Sequence, residues 1–291
     1  KDNIITLLRK LEQKNSERKY AVKRIRKLIP LFEEHEFWST QPVPRYTDAL
    51  PPSAFNAAVE VKTVADVSQE PYGLPGGYEW CSMNLKEPAQ LDELYHLLSN
   101  HYVEDTDGKF RFDYSIEFLQ WALSPPGGIT DWLIGVRGGP QKKLFGFISA
   151  IPVTMVANGQ RISMAEVNFL CVHKKLRDKR LAPMLIKEIT RRVNVTNRWQ
   201  AIYTSGTTLP TPFATAQYYH RNLNPKKLVE CRFSYKPADV QMANFIKQHR
   251  LPTETRTEGL KPVQKTDVPK VTAALNAHLR ANYKVHIEFS E

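Results

Sequence analysis

The sequence predicts an α/β or α+β fold, a mixed sheet flanked by helices, and three features point to this class. Residues 132–136 and 144–152 have the composition of strands, and the Gly-Gly-Pro turn between them indicates a hairpin. Residues 162–172 have the pattern of a third strand, and apolar residues at helical spacing follow over 181–193. Residues 200–204 then give a short strand. Strands that lead into a strand–helix–strand unit require a layered packing of sheet and helices.

The remaining elements and the domain organisation follow from the same patterns. Further elements are predicted as helices at 91–98 and 213–219, an aromatic strand or turn followed by a helix within 110–123, and a strand at 227–235. The predicted domains are a basic amphipathic helical extension at 1–35, an extended Pro-rich arm at 36–77, a main domain at 78–255 and the opening of a second, incomplete unit at 256–291.

Composition favours a globular protein whose cysteines are reduced and which does not span a membrane. The chain of 291 residues is 42% hydrophobic, enough for a sizeable core, and no apolar run approaches the roughly 20 residues of a membrane span. The first twenty residues are too charged for a secretory signal. The three cysteines are odd in number and far apart, which argues against a disulfide framework. We therefore expect a cytoplasmic monomer.

The charge of the chain predicts an anionic partner. The net charge is +11, and the cations cluster at residues 1–27, 173–180 and 221–227. Nucleic acid, a membrane surface, a ribosome or a phosphorylated cofactor would each fit this charge. The apolar residues of 3–32 recur at helical spacing, so this segment is either a solvated helical extension or a helix that docks on a ribosome, an RNA or a membrane.

The junction between the strand at 167–172 and the following helix has the features of an anion site. Pro183 is tolerated only in a first turn, so the helix is predicted to begin near 178–180, with Asp178 as its N-cap. Its open N–H groups and positive dipole end would then lie beside five cations: Lys174, Lys175, Arg177, Lys179 and Arg180. Cations oppose the dipole at this end, and a bound phosphate or pyrophosphate would resolve the conflict.

Other chemistries lack their motifs. The sequence has no P-loop and no dinucleotide-binding glycine pattern, and it has no HExxH or Cys/His cluster, so we expect no metal. His173 is expected to be a loop residue, and Cys171, which lies in the middle of a strand, is expected to belong to the core.

The chain contains several long aperiodic motifs, of which the longest is EVNFLCVHKKLRDKRLAPMLIKEITRR at 166–192. The others, in chain order, are FWSTQPVP at 37–44, NHYVED at 100–105, FRFDYS at 110–115, FLQWAL at 118–123, GFISAIP at 146–152, AIYTSG at 201–206 and YYHRNLNPKKL at 218–228. Together these motifs resemble a known family, eukaryotic glycylpeptide N-tetradecanoyltransferase (N-myristoyltransferase), and the segment at 166–192 is similar to the signature of this family. The resemblance implies a GNAT-like acyl-CoA N-acyltransferase fold that moves myristate from myristoyl-CoA to an N-terminal glycine amine.

The resemblance also assigns residues to roles. The backbone N–H groups of Phe169 and Leu170 are implied to form an oxyanion hole, and Asn168 and Thr204 to hold the glycine amine. The residues implied to bind acyl-CoA are Glu36, Phe37 and Trp38 of the arm, Phe169, Leu170, Cys171 and Val172 of the strand, and Arg177, Asp178, Lys179, Arg180, Leu181, Ala182 and Pro183 at the phosphates. The residues implied to line the peptide channel are Tyr102, Val103, Glu104, Asp105, Asp107, Phe110, Phe112, Tyr114, Tyr218 and His220, with the acids suited to a lysine in the peptide.

Departures from the family pattern leave alternatives open. Asp178 stands where the family pattern has serine, and its carboxylate is expected to weaken phosphate binding. The chain is expected to stop before the second GNAT-like half that completes the peptide groove, so acyl-CoA binding should survive better than catalysis. A truncated, inactive acyl-CoA-binding form and a basic RNA- or ribosome-binding module are the alternatives.

Overall fold

The computed structural model describes residues 35–43, 58–105, 107–206, 209 and 211–291. The predicted basic helix within 3–32 lies outside the described residues, as does part of the predicted arm. The chain forms two compact units: the described residues up to Thr211 together with Lys270–Glu291, and Pro212–Pro269. No helix among these described residues is long and apolar enough to cross a membrane. The domain boundaries drawn from the sequence stay a prediction.

One mixed sheet organises the first unit. Its strands are β1 Tyr78–Ser82, β2 Leu133–Gly138, β3 Lys143–Ala157, β4 Gln160–Val172, β5 Ala201–Tyr203 and β6 Val285–Glu288. The order is β1-β2-β3-β4-β5, antiparallel as far as β4 and parallel between β4 and β5. The long strand β3 pairs with β2 along its first part and with β6 at residues 154–157. The predicted fold class, a mixed sheet flanked by helices, is confirmed.

Helices cover both faces of this sheet. The helices of the first unit are α1 Pro88–His101, α2 Ile116–Leu123 and α3 Leu181–Val195, with α6 Val268–Asn282 before β6. Side chains alternate along β3, so Phe147 packs with α1 and α2 while its neighbour Ile148 packs with α3. The apolar stripe of α3 explains its position, because Leu185 and Ile189 are buried on the sheet. The predicted helices at 91–98, in the second half of 110–123, and at 181–193 are confirmed.

Two sequence predictions in the second unit are wrong. Its helices are α4 Pro225–Glu230 and α5 Met242–His249, so residues 227–235 form no strand and residues 213–219 form no helix. The Asn224 side chain accepts the N–H of Lys227 at 3.1 Å and starts α4, which a β-propensity argument cannot detect. Phe213 and Tyr218 are exposed, so no buried face stabilises a helix there.

Close packing of β2 against its neighbours gives a first testable expectation. A Cβ atom at Gly135 would lie 2.7 Å from Cys81 Sγ and 2.8 Å from Leu144 Cδ1. We expect Gly135→Val to lower the free energy of unfolding by about 1–3 kcal/mol through overpacking, measured by urea denaturation. Gly76→Val is the control, because nothing lies within 4 Å of a Cβ there. Equal stability of the two variants would contradict the packing described.

Candidate functional site

A bulge interrupts the pairing of β4 at the predicted oxyanion residues. Phe147 pairs with Cys171 and Ser149 pairs with Asn168, so Phe169 and Leu170 together face Ile148 alone. Phe169 has a φ of +53°, a left-handed conformation that non-glycine residues rarely adopt. A bulge of this kind disrupts the ladder locally and turns backbone groups away from the neighbouring strand. The site is therefore built on a backbone segment whose N–H and C=O groups are not all taken up by pairing between β3 and β4.

Hydrogen bonds hold the residue before the bulge. The buried hydroxyl of Ser149 donates to the carbonyl oxygen of Asn168 at 2.9 Å, which ties β3 to β4 at this point. The backbone N–H of Phe169 donates to Oδ1 of Asn168 at 3.0 Å. Asn168 is exposed, and Val167 pairs in parallel with Tyr203 of β5, so Asn168 and Thr204 follow paired residues on adjacent parallel strands. The two residues predicted to hold an amine are thus neighbours.

Aromatic rings lock the bulge from the side of α1 and α2. The ring of Phe169 stacks on Tyr102 at a centroid distance of 5.9 Å and meets Tyr114 edge-on at 5.6 Å. Phe112 stacks on Tyr114 in turn, at 5.7 Å. Burial raises the pKa of Tyr102 to about 12, so its hydroxyl stays protonated. The structure therefore brings three predicted peptide residues, Tyr102, Phe112 and Tyr114, next to the predicted oxyanion strand.

The described part of the arm packs against the edge of the sheet. Trp38 stacks on Tyr203 at 5.2 Å with an interplanar angle of 5°, and Phe37 meets Trp38 edge-on at 5.1 Å. Glu36 is exposed beside them. Tyr203 ends β5 and precedes Thr204, so the arm residues lie at the same end of the parallel pair as the bulge. Tyr203 was not predicted from the sequence as a site residue, because its role in holding the arm is visible only from its contact with Trp38.

The cationic junction after β4 is built differently from the prediction at Asp178. A 3₁₀ turn at Lys174–Leu176 is followed by left-handed residues at Asp178 (φ +62°) and Arg180 (φ +58°), and α3 begins at Leu181. Asp178 is therefore not the N-cap, which is Arg180, and no side chain caps this helix end. The two left-handed residues delay the helix start. Pro183 does lie in the first turn, and all five predicted cations are exposed.

Glu104 links the predicted peptide side to the predicted phosphate side. Its carboxylate accepts from Lys174 Nζ at 2.8 Å and lies 3.6 Å from Arg177 Nη1 and 3.8 Å from Arg111 Nε. The hydrogen bond from Lys174 and the adjacent cations hold the pKa of Glu104 below its ordinary value. A second donor of Arg177, Nη2, lies 2.6 Å from the carbonyl oxygen of His101. Glu104 and Arg177, predicted to serve different substrates, thus share one ion cluster.

His101 and His173 lie against this cluster. Their ring centroids are 3.9 Å apart, and Nδ1 of His173 accepts the N–H of Lys175 at 3.1 Å, which caps the 3₁₀ turn. Burial, followed by the nearby His173 and cations, lowers the pKa of His101 to about 4. His101 is therefore neutral at pH 7. Sequence reasoning missed His101, since more than seventy residues separate it from the junction that it contacts.

The other predicted residues are distributed as follows. Val103 is exposed, Asp105 accepts the N–H of Phe110 at 2.6 Å, and Asp107 pairs with Lys109 at 2.9 Å. Tyr218 is exposed in the second unit, where His220 meets Phe233 edge-on at 5.1 Å.

The strand and helix residues predicted at the acyl-CoA include core side chains. Cys171 is buried, and burial raises its pKa to about 12, so it is a core thiol as predicted. Leu181 is buried, while Leu170, Val172, Ala182 and Pro183 are partly exposed, and Lys179 is fully on the surface. The described residues contain no group of three or more His, Cys, Asp or Glu side chains that could hold a metal ion.

The fold and the site define a class of mixed α/β proteins in which a bulged central strand leads into a cationic helix start. Comparison with known proteins makes the class specific. Residues 58–216 match the model of the myristoyl-CoA:protein N-myristoyltransferase N-terminal domain, and residues 230–291 match the model of the C-terminal domain. The chain belongs to this family.

Relatives and solved structures agree with the family models. The chain is 46% identical over 284 residues to glycylpeptide N-tetradecanoyltransferase of Dictyostelium discoideum, covering 94% of this chain and 68% of that protein. It is 48% identical over 246 residues to the probable glycylpeptide N-tetradecanoyltransferase of Caenorhabditis elegans, and this match covers 84% of this chain and 54% of that protein. Saccharomyces cerevisiae N-myristoyltransferase with bound myristoyl-CoA matches with a TM-score of 0.81 at 42% identity, covering 89% of this chain and 60% of that one. The chain thus spans roughly half to two thirds of its relatives' length.

Proposed function

We propose that this chain binds myristoyl-CoA and takes part in transfer of the myristoyl group to the N-terminal glycine amine of proteins. The observation that carries the proposal is the bulge of β4 at Phe169 and Leu170, on a strand that leads through a 3₁₀ turn into a cationic, uncapped helix start at Leu181. A thioester oxygen needs the first feature and CoA phosphates need the second. The related yeast structure, solved with myristoyl-CoA, supports assigning both features to this ligand.

The chemistry follows from the bulge. The neutral glycine amine attacks the thioester carbonyl and negative charge develops on the carbonyl oxygen. The C–S bond then breaks, CoA leaves as a thiolate, and the proton lost by the nitrogen passes to solvent or to that thiolate. The N–H groups of Phe169 and Leu170 would stabilise that oxygen, and one such donor is typically worth about 3 kcal/mol in the transition state. Asn168 and Thr204, adjacent at the ends of β4 and β5, would orient the attacking amine. These roles use backbone geometry and short polar side chains, with no metal.

The phosphate end would use the exposed cations of the junction. Lys175, Lys179 and Arg180 are exposed around the first N–H groups of α3, where the helix dipole adds attraction for an anion. Lys174 and Arg177 are held by Glu104 and would supply charge from a fixed position. Leu181, Ala182 and Pro183 would complete this phosphate cradle. The arm residues Glu36, Phe37 and Trp38 would close over the acyl-CoA, and Cys171 and Val172 would belong with the bulge to the thioester region.

Asp178, in the left-handed turn before α3, allows a test of the proposed phosphate site. We expect Asp178→Asn to tighten myristoyl-CoA binding about threefold to tenfold at low salt, because it removes a like charge beside the phosphates. Asparagine tolerates the φ of +62° as well as aspartate does, whereas serine would add strain. Isothermal titration calorimetry measures the change, with Asp239→Asn on the second unit as the control. Equal or weaker binding by Asp178→Asn would contradict the prediction.

The peptide would lie along the aromatic rings. Tyr102, Phe112 and Tyr114 give an apolar wall beside the bulge, Val103 is exposed next to it, and Phe110 is proposed for the same wall on the strength of the family resemblance. Glu104 is already surrounded by cations and Asp107 pairs with Lys109, so Asp105, which accepts the backbone N–H of Phe110, is the acid better suited to a lysine of the peptide. Tyr218 and His220 are proposed for the same channel on the strength of the family resemblance alone.

We also propose a cytoplasmic monomer whose basic residues 1–27 contact a ribosome or another anionic surface. The charge of that segment supports the proposal. Attachment is expected to weaken steeply with salt, since screening shortens the range of such contacts.

One experiment tests the function. Myristoyl-CoA binding and transfer to a peptide that begins Gly-Ser are measured on the same sample, with an N-acetylated copy of the peptide as the control. Binding with transfer to the free amine alone supports the proposal. Binding without transfer favours the second candidate, an acyl-CoA-binding chain without turnover, which the partial coverage of the relatives makes worth testing. Failure to bind, combined with salt-sensitive RNA binding, overturns both.

A further inference from the structure

The hydrogen bond between Phe169 and Asn168 bears directly on the oxyanion donor. The Phe169 N–H donates to Oδ1 of Asn168 at 3.0 Å and also interacts with the hydroxyl oxygen of Tyr102. The Ser149 hydroxyl fixes the carbonyl oxygen of Asn168 at 2.9 Å, so the backbone of Asn168 is anchored while its exposed side chain folds back on the next residue. A thioester oxygen that binds this N–H must therefore compete with an acceptor that the chain itself provides.

We propose that the Asn168 carboxamide is a positioning group that competes with the thioester oxygen for the Phe169 N–H and turns to the amine when it is displaced. The inference rests on the proposed function and extends it. Asn168 Oδ1 and a neutral thioester oxygen are acceptors of similar kind, so the competition cancels most of the ground-state hydrogen bond. The oxyanion is charged and accepts more strongly, so it displaces Asn168. The net gain from this N–H is therefore small in the ground state and appears mainly in the transition state.

The carboxamide can serve both partners in turn. Once Oδ1 leaves the Phe169 N–H, it becomes available to accept a hydrogen bond from the glycine amine, beside Thr204 on the adjacent strand. The side chain would turn to the amine as the oxyanion forms, when the nitrogen gains positive charge and its N–H groups become stronger donors. A carboxamide suits this exchange because it is uncharged and its oxygen has two lone pairs.

The competition between Asn168 and the thioester oxygen for the Phe169 N–H can be measured with two unreactive analogues of myristoyl-CoA. In the ketone analogue a methylene group replaces the thioester sulfur and the carbonyl oxygen is kept, while a thioether analogue lacks that oxygen. The change in the ratio of their dissociation constants between a variant and the unsubstituted chain reports what the oxygen gains at the bulge, because the exchange of sulfur for methylene is the same in both chains and cancels. Calorimetric titration of the unsubstituted chain gives the reference ratio.

Asn168→Ala should raise the preference for the ketone about two- to tenfold, since its oxygen then competes only with the Tyr102 hydroxyl. Asn168→Asp should lower the same preference, because a carboxylate accepts from the N–H more strongly than an amide. The thioether should bind the alanine variant and the unsubstituted chain equally, and this also shows that the fold is intact. Ratios within twofold of the reference in both variants would overturn the inference while leaving the proposed function standing. If the unsubstituted chain binds neither analogue, the proposed function and the inference both fail.

Discussion

Glu188→Ala is expected to lower the free energy of unfolding by about 3–5 kcal/mol, because it breaks a buried ion pair from one side. Glu188 lies on α3 and is fully buried. Its carboxylate accepts from Arg191 at 2.7 and 3.0 Å and from Arg192 at 2.8 Å. Without it, two guanidinium groups that are themselves nearly buried lose their counter-charge.

The same carboxylate fixes the segment that leads into β1. It accepts the backbone N–H of Tyr72 at 3.3 Å, and Arg191 donates to the carbonyl oxygens of Ser68 and Gln69 at 3.2 and 3.1 Å. Besides losing stability, Glu188→Ala should therefore expose residues 68–72 to proteolysis. Urea denaturation measures the first effect and limited proteolysis the second.

Glu79→Ala is the matched control for Glu188. It also removes a carboxylate 3.0 Å from a cation, Lys142, but both side chains are at least half exposed. Such surface pairs contribute about 0–1 kcal/mol. A loss at Glu188 no larger than the loss at Glu79 would show that the buried cluster does not stabilise the fold.

The pH dependence of stability gives a second measurement on Glu188. Burial alone would raise the pKa of Glu188, but hydrogen bonds from Arg191, Arg192 and the Tyr72 N–H outweigh it and lower the pKa below the ordinary value of 4.5. A lowered pKa means stability that is present above pH 4.5 and is lost as the pH falls through the folded-state pKa. The stability difference between the unsubstituted chain and Glu188→Gln should thus shrink in acid.

Local pattern predicted the framework but not the feature that makes the site. The strand at 162–172 and the helix at 181–193 have clear periods, and both were found with β4 and α3. The bulge in β4 is a property of its register against β3, and Phe169 carries no local mark of a left-handed residue. For the same reason the sequence placed the helix start too early, at Asp178.

The spacing of residues along the sequence could not predict contacts between residues that are far apart in the chain. The Lys174–Glu104 pair joins residues seventy positions apart, and the ring contact between Trp38 and Tyr203 joins residues that are still farther apart in the sequence. The motif resemblance assigned Tyr102 and Tyr114 to the peptide channel and Phe169 to the oxyanion hole, and the structure brings those rings into contact. It also separated Glu104 from Arg177 by role, whereas the two share a cluster. Family motifs thus locate a site, while the pairing inside it requires coordinates.

Phe169→Ala is expected to lower the free energy of unfolding by about 3–5 kcal/mol and to weaken myristoyl-CoA binding. The ring is 7% exposed and lies between Tyr102 and Tyr114, so its loss opens a cavity in the aromatic cluster. The same ring holds the backbone at φ +53°. Without this anchor the N–H of residue 169 is no longer aimed reliably, so a ketone analogue should lose more affinity than a thioether analogue.

Glycine at the same position separates packing from backbone strain. Phe169→Gly loses the same ring, but glycine adopts a positive φ without penalty, whereas alanine costs about 1 kcal/mol there. We therefore expect Phe169→Gly to be more stable than Phe169→Ala, the reverse of the usual order inside a strand. Phe112→Ala is the control, because that ring is 54% exposed and its removal should cost far less. If alanine proves the more stable variant at 169 in urea denaturation, the left-handed bulge is not what this residue maintains, and the backbone basis of the proposed oxyanion site fails with it.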